Sequence, residues 1–144
     1  MKTRDTISEN QEKLCKEESI MNKIATTNAP AAIGPYSQGI ECNGMIYVSG
    51  QLPVDPATGE FPEGDIQDLT RQSMKNIIAI LEAAGSSADK IVKTTIFLTD
   101  LANFVPVNQA YAEFFPGIAP ARACVQVAAL PKGAPLEIEA IAYK

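Results

Sequence analysis

The chain has 144 residues, 46% of them hydrophobic and 20% charged, enough for one domain that buries roughly two-thirds of its unfolded surface and too few for a second. It contains no histidine, which excludes a Ser-His-Asp triad, a Cys-His dyad and a His-x-x-x-His zinc site, so any catalysis must run on Glu, Asp, Arg, Tyr, Cys, Ser or backbone groups. A net charge of −5 without a cluster of Lys and Arg argues against nucleic acid as a partner, and no apolar run approaches the ~18 residues of a membrane span.

Residues 1–20 carry four basic and five acidic side chains and no aromatic. Their acidic content does not suit a transit peptide, and the segment reads as a mobile charged arm ahead of a single domain over 21–144. Met21 opens Met-Asn-Lys-Ile-Ala-Thr, which has the look of a second natural chain start. Cys15, Cys42 and Cys124 are odd in number and far apart, so neither a disulfide framework nor a Cys-x-x-Cys clamp is indicated and a cytoplasmic location is expected.

Short β-like runs at Ile40 to Cys42 and Met45 to Ser49 flank Asn43-Gly44, the strongest two-residue hairpin signal. Asp55 to Gly59 forms a turn, and a helix follows with Ile66, Leu69, Ser73, Ile77, Ile80, Leu81 and Ala84 on one face, Asp65 as its cap and Gly85 as its stop. Ile91 to Leu98 alternates as a strand. Asp100 begins a second helix with Val107, Ala110, Tyr111 and Phe114 inward and Pro106 in its first turn. Two strands, Ala123 to Ala128 and Leu136 to Tyr143, complete the order β-β-α-β-α-β-β. This is an α+β fold, a mixed sheet with two helices on one face, and the open face is expected to seek a partner subunit.

The chemistry concentrates in the last two strands. Alternation places Arg122, Cys124 and Gln126 on one face of theirs, read as polar, and Ala123, Val125 and Val127 on the other, read as core. In the final strand Glu137 and Glu139 share a face opposite Leu136, Ile138 and Ala140. If the two strands form a hairpin, Arg122 lies opposite Ile141 and Glu137 opposite Gln126, about 13 Å apart. A small anionic molecule between them would then have its carboxylate forked by Arg122 and its other end within reach of Glu137. The plainer alternative pairs Arg122 with an acidic side chain at a surface or subunit interface and leaves the glutamates solvated. Cys124 has no histidine to activate it and suits a pocket lining better than a nucleophile. Tyr36 sits in the turn Gly34-Pro35-Tyr36-Ser37-Gln38, Ser49-Gly50 offers a hydroxyl and an approachable backbone, and Asn108 lies early in the second helix; each is equally compatible with plain packing.

These segments resemble the RidA (YjgF) family of 2-iminobutanoate/2-iminopropanoate deaminases. The resemblance runs from Ile24 to Tyr143 and is most specific in Pro120-Ala121-Arg122-Ala123-Cys124-Val125 and Leu136-Glu137-Ile138-Glu139-Ala140. Gly34 to Gln38, Val48-Ser49-Gly50-Gln51, Glu82 to Gly85 and Val107-Asn108 add to it in the same order. It implies a chorismate-mutase-like fold, a homotrimer with three sites between subunits, and hydrolysis of 2-imino acids released by pyridoxal-phosphate enzymes to 2-keto acids and ammonia. Carried over, Arg122 binds the substrate carboxylate, Glu137 positions or activates water, and Tyr36, Ser49, Gly50, Asn108 and Cys124 line the pocket. No metal or other cofactor is implied, and neither is a nucleic acid or a membrane. Two departures stand out: the arm, absent from compact members, and Gln126 where many members have Glu, which is expected to shift substrate preference. The rival expectations are a non-catalytic trimer that binds small carboxylates or acts as a chaperone, and a ribonuclease or translation inhibitor, which the acidic charge disfavours.

Overall fold

The computed structural model describes residues 21–144, so Cys15 and the expectation of a mobile arm lie outside the described residues. Six strands, β1 (Asn22–Ile24), β2 (Gly39–Cys42), β3 (Met45–Gln51), β4 (Ile91–Leu98), β5 (Ala121–Gln126) and β6 (Leu136–Tyr143), form one mixed sheet in the order β1-β2-β3-β6-β4-β5. Helices α1 (Ile66–Ala83) and α2 (Phe104–Ala112) pack on one face of it. β2 and β3 pair as the Asn43-Gly44 hairpin, whose two turn residues take φ of 53° and 75°, the left-handed region that this turn demands. The three-residue β1, antiparallel to β2, is an addition to the expected order, too short to show a period in the sequence.

The caps of α1 follow from its flanking residues. Asp65 accepts from the backbone N–H groups of Gln67 and Asp68 while Asp68 accepts from Asp65, a capping box. At the far end Gly85 adopts φ of 83°, and the bonds from Ser86 N–H to Leu81 C=O and from Gly85 N–H to Glu82 C=O close a Schellman motif. Met74, Ile77, Ile80 and Leu81 of α1 then bury against Ile46 and Val48 of β3, Ile96 and Leu98 of β4, and Leu136, Ile138 and Ala140 of β6. Val107 and Tyr111 of α2 extend the same core. Arg71 fastens the helices together through Glu113, with Nε to Oε2 at 2.7 Å and Nη2 to Oε1 at 3.2 Å. No helix among the described residues is long and apolar enough to cross a membrane.

Two expectations about the last strands are overturned. β5 and β6 are not a hairpin: β5 runs parallel to β4 at the sheet edge, joined to it through α2, and β6 inserts between β3 and β4. Arg122 therefore lies opposite Thr94, not Ile141, and Glu137 opposite Phe97, not Gln126. The faces of β5 are also reversed. In register with buried Thr94 and Ile96, Arg122 and Cys124 look toward the helices, while Ala123 and Val125 share the open face with Thr95 and Phe97. Neither face of this edge strand is fully buried, so its alternation marks two faces without saying which is the core.

Candidate active site

β3 carries a bulge. Val48 faces Ala140 but Gln51 faces Ile138, so one extra residue is accommodated at Ser49-Gly50 beside the glutamates of β6. Glu137 fills the space over Gly50 so completely that a Cβ there would fall onto its Oε1 atom. Glycine at this position is a requirement of the glutamate above it. Ser49 Oγ donates to Ser37 C=O at 2.6 Å, which ties the bulge to the Gly34–Gln38 turn. In that turn Tyr36 is 52% exposed, with its hydroxyl accepting from Ile33 N–H at 3.2 Å.

Tyr36, Ser49, Gly50 and Glu137 thus converge on one cleft of about 650 Å³ on the open side of the sheet. Buried Gln38 builds its wall: Oε1 accepts from Thr26 N–H at 2.7 Å and Nε2 donates to Pro30 C=O at 2.7 Å, folding segment 26–30 over the cavity. Asn76, buried on α1, holds the floor by donating to Val54 C=O at 2.8 Å. Burial, reinforced by the charge of Glu139, pushes the Glu137 carboxyl above its ordinary value. Lys132, which the sequence reading passed over, also reaches this cleft. It comes from the Pro-Lys-Gly turn before β6 with φ of 58°, a left-handed conformation that a lysine seldom takes.

The other three predicted residues gather elsewhere, on the helix side of β5. Arg122 Nη1 donates to Asn108 Oδ1 at 2.6 Å, and the guanidinium lies against the rings of Phe104 and Tyr111. Among the described residues it has no carboxylate partner, so the plain surface ion pair does not form within the chain. Cys124 sits next to it on the same face, its thiol pushed up by burial against the opposing pull of Arg122, the direction opposite to that which activates a nucleophilic cysteine. Gln126 accepts from Leu101 N–H at 2.9 Å and so pins the turn that opens α2.

One chain therefore holds two half-sites on opposite faces of the sheet. The first offers a carboxylate, a phenol and a hydroxyl around a cavity; the second offers a guanidinium with an amide and a thiol. A basic fork for an anion and a carboxylate suited to proton transfer are both present, but not together.

The family described as endoribonuclease L-PSP matches residues 26–144. The 2-iminobutanoate/2-iminopropanoate deaminase of Escherichia coli is 54% identical over 124 residues, covering 84% of this chain and 96% of its own. That of Mus musculus is 50% identical over 127 residues, covering 88% and 94%. A RutC family protein of Pyrococcus horikoshii is 52% identical over 121 residues, covering 84% and 96%. Among solved structures, E. coli TdcF with bound serine is similar with a TM-score of 0.82 at 50% identity, covering 85% of this chain and 98% of that one. The six-stranded sheet with its two helices is thus the chorismate-mutase-like fold that the motifs implied, and the chain belongs to the RidA family, matched under the description endoribonuclease L-PSP.

Proposed function

We propose that the protein is a deaminase that hydrolyses 2-imino acids such as 2-iminobutanoate and 2-iminopropanoate to 2-keto acids and ammonia. The observation that carries this reading is the pair of half-sites, each built from residues the family resemblance singles out and each lacking what the other has. In the homotrimer that the resemblance implies, the β5 edge of one copy meets the cleft of another. Arg122 then forks the substrate carboxylate by two parallel hydrogen bonds, and Glu137 of the adjoining copy faces the C=N carbon.

The chemistry needs only orientation and proton transfer. Glu137 takes a proton from water as the C–O bond forms and the C=N electrons move to nitrogen, and it returns that proton to the nitrogen, which becomes an amine. Collapse of the carbinolamine forms C=O and breaks C–N, the hydroxyl proton passing through Glu137 to the departing ammonia. Burial and the neighbouring Glu139 raise the affinity of this carboxyl for a proton, which favours its taking one from water, and general acid–base help of this kind contributes about 10²–10⁴-fold. Substrates of this kind hydrolyse in water on their own, so the protein shortens the life of a reactive intermediate rather than opening a new route. A cytoplasmic location, beside pyridoxal-phosphate dehydratases that release such intermediates, is part of the same proposal.

A coupled assay tests the reading: threonine dehydratase generates the imine, and keto acid formation is followed with wild type, Arg122→Ala and Glu137→Ala. Acceleration by wild type alone is expected. No acceleration over spontaneous hydrolysis would favour the non-catalytic carboxylate-binding alternative.

A further inference from the structure

Arg122 owes its place to more than the amide of Asn108. Its guanidinium carbon lies 5.2 Å from the centre of the Tyr111 ring and 5.6 Å from that of Phe104. Positions 104, 108 and 111 recur at helical spacing, so α2 presents a ring, an amide and a second ring on one face. Tyr111 is itself immobilised: its hydroxyl shares a 2.6 Å hydrogen bond with Thr94 Oγ1, and its ring meets Phe115 at 4.8 Å. Thr94 is also the cross-strand neighbour of Arg122. One rung of the sheet therefore fixes both the backbone of the arginine and the ring it lies against.

We infer that Phe104 and Tyr111 are positioning residues for Arg122, two aromatic faces that hold the guanidinium in its anion-binding orientation before any substrate arrives. The inference rests on Arg122 as the carboxylate-binding group proposed above. A free arginine side chain loses much rotamer freedom when it grips an anion, and that cost falls when the side chain is already held. The rings can do this without competing for the fork. A cation lies against a π face through electrostatic attraction that consumes no N–H group, and Asn108 takes only one nitrogen, so the remaining donors stay available to a carboxylate. A glutamate in the place of Phe104 would neutralise the arginine and occupy those donors; an aromatic ring does neither.

Phe104 is the residue to change, because at 39% exposed it can be altered without opening the core, whereas Tyr111 is buried. The full chain is compared as wild type, Phe104→Leu and Phe104→Tyr. Three quantities are read: the apparent KM and kcat in the dehydratase-coupled assay, the Kd for 2-oxobutanoate by calorimetry, and the mobility of the Arg122 Nε–H group by nitrogen-15 NMR relaxation. Loss of one cation–π face predicts a rise of about two- to fivefold in KM and Kd with kcat unchanged, and a more mobile Arg122. Phe104→Tyr restores all three to wild type. The inference is overturned if Phe104→Leu leaves KM, Kd and the Arg122 signal as in wild type, or if the tyrosine fails to rescue. Should wild type neither turn over the imine nor bind 2-oxobutanoate, the deaminase reading falls by itself. The Arg122 mobility then decides the aromatic clamp alone, upheld by a rise in Phe104→Leu and overturned by none.

Discussion

Two inactive chains should make an active protein. Arg122 pairs with Thr94, Thr94 pairs with Ala140, and Glu137 lies three residues before Ala140 on β6. Three residues along the strand and two strand spacings across it separate the two backbones by about 14 Å, and their side chains then leave opposite faces of the sheet. No 2-imino acid of three or four carbons bridges that gap. A site containing both groups must take them from two copies, so Arg122→Ala and Glu137→Ala each abolish all sites when assembled alone. When equal amounts assemble at random, an intact Arg122 meets an intact Glu137 at about one site in four, the product of two independent halves in a closed ring. Coexpression of the two variants under different affinity tags, sequential purification of mixed oligomers, and the dehydratase-coupled assay measure this directly. Removal of the unmixed, inactive oligomers raises this share, because each mixed trimer of the proposed assembly holds one intact pairing among its three sites, and roughly a third of wild-type activity per chain is expected. Mixed oligomers as inactive as either parent, beside a wild-type mixture of full activity, would show that Arg122 and Glu137 do not share a site.

The contact between Gly50 and Glu137 predicts a substitution that separates activity from stability. Gly50 does not need a left-handed backbone, so Gly50→Ala is conformationally allowed and costs at most the ~1–3 kcal/mol of local overpacking, yet it evicts the Glu137 carboxylate and should lower turnover by about 10²-fold or more; full activity would refute the placement of the carboxylate over the bulge. Glu137→Gln should raise the thermal midpoint at pH 7–8 and lose that advantage toward acid. The buried carboxyl keeps its proton to higher pH than in the unfolded chain, so ionisation of the unfolded chain drains stability as pH rises, a loss glutamine does not suffer. Scanning calorimetry across pH reads the sign, and the reverse order would mean that a cation reaches Glu137 in the assembled protein. Ile138→Ala, at a fully buried position of β6 beneath α1, should cost about 2–5 kcal/mol in urea unfolding; a loss below about 1 kcal/mol would contradict the packing described between that strand and the helices.

Elements whose residues carry their own boundary signals were legible from the chain. Asn43-Gly44 fixed a hairpin, Asp65 and Gly85 fixed both ends of α1, and alternation in Leu136 to Tyr143 gave β6 with Leu136, Ile138 and Ala140 on its buried face, to which the structure adds Ala142. Partnership between strands was not legible. The loop after β5 is long enough to turn back or to cross β4, and nothing in residues 127–135 distinguishes the two. The reversal of β5 has a related cause: an arginine directed at aromatic rings and a helix amide looks, in sequence, like an arginine directed at water. Strand alternation and turn position singled out the seven candidate residues, motif resemblance gave them roles, and geometry divided them four and three between the two faces. Lys132 and Phe104 escaped because a turn lysine and a helix-start phenylalanine are common for reasons unrelated to a site.

The nine-residue helix α2 is shared between two tasks. Val107 and Ala110 fill the core, Phe104 and Asn108 face the arginine, and Tyr111 belongs to both groups through its ring and its bond to Thr94. If Arg122 binds the substrate as proposed, an engineer who repacks beneath this helix for heat resistance will meet the effect again as altered substrate affinity. Stabilising changes are better placed at the Asn43-Gly44 hairpin turn, which touches neither α2 nor Arg122.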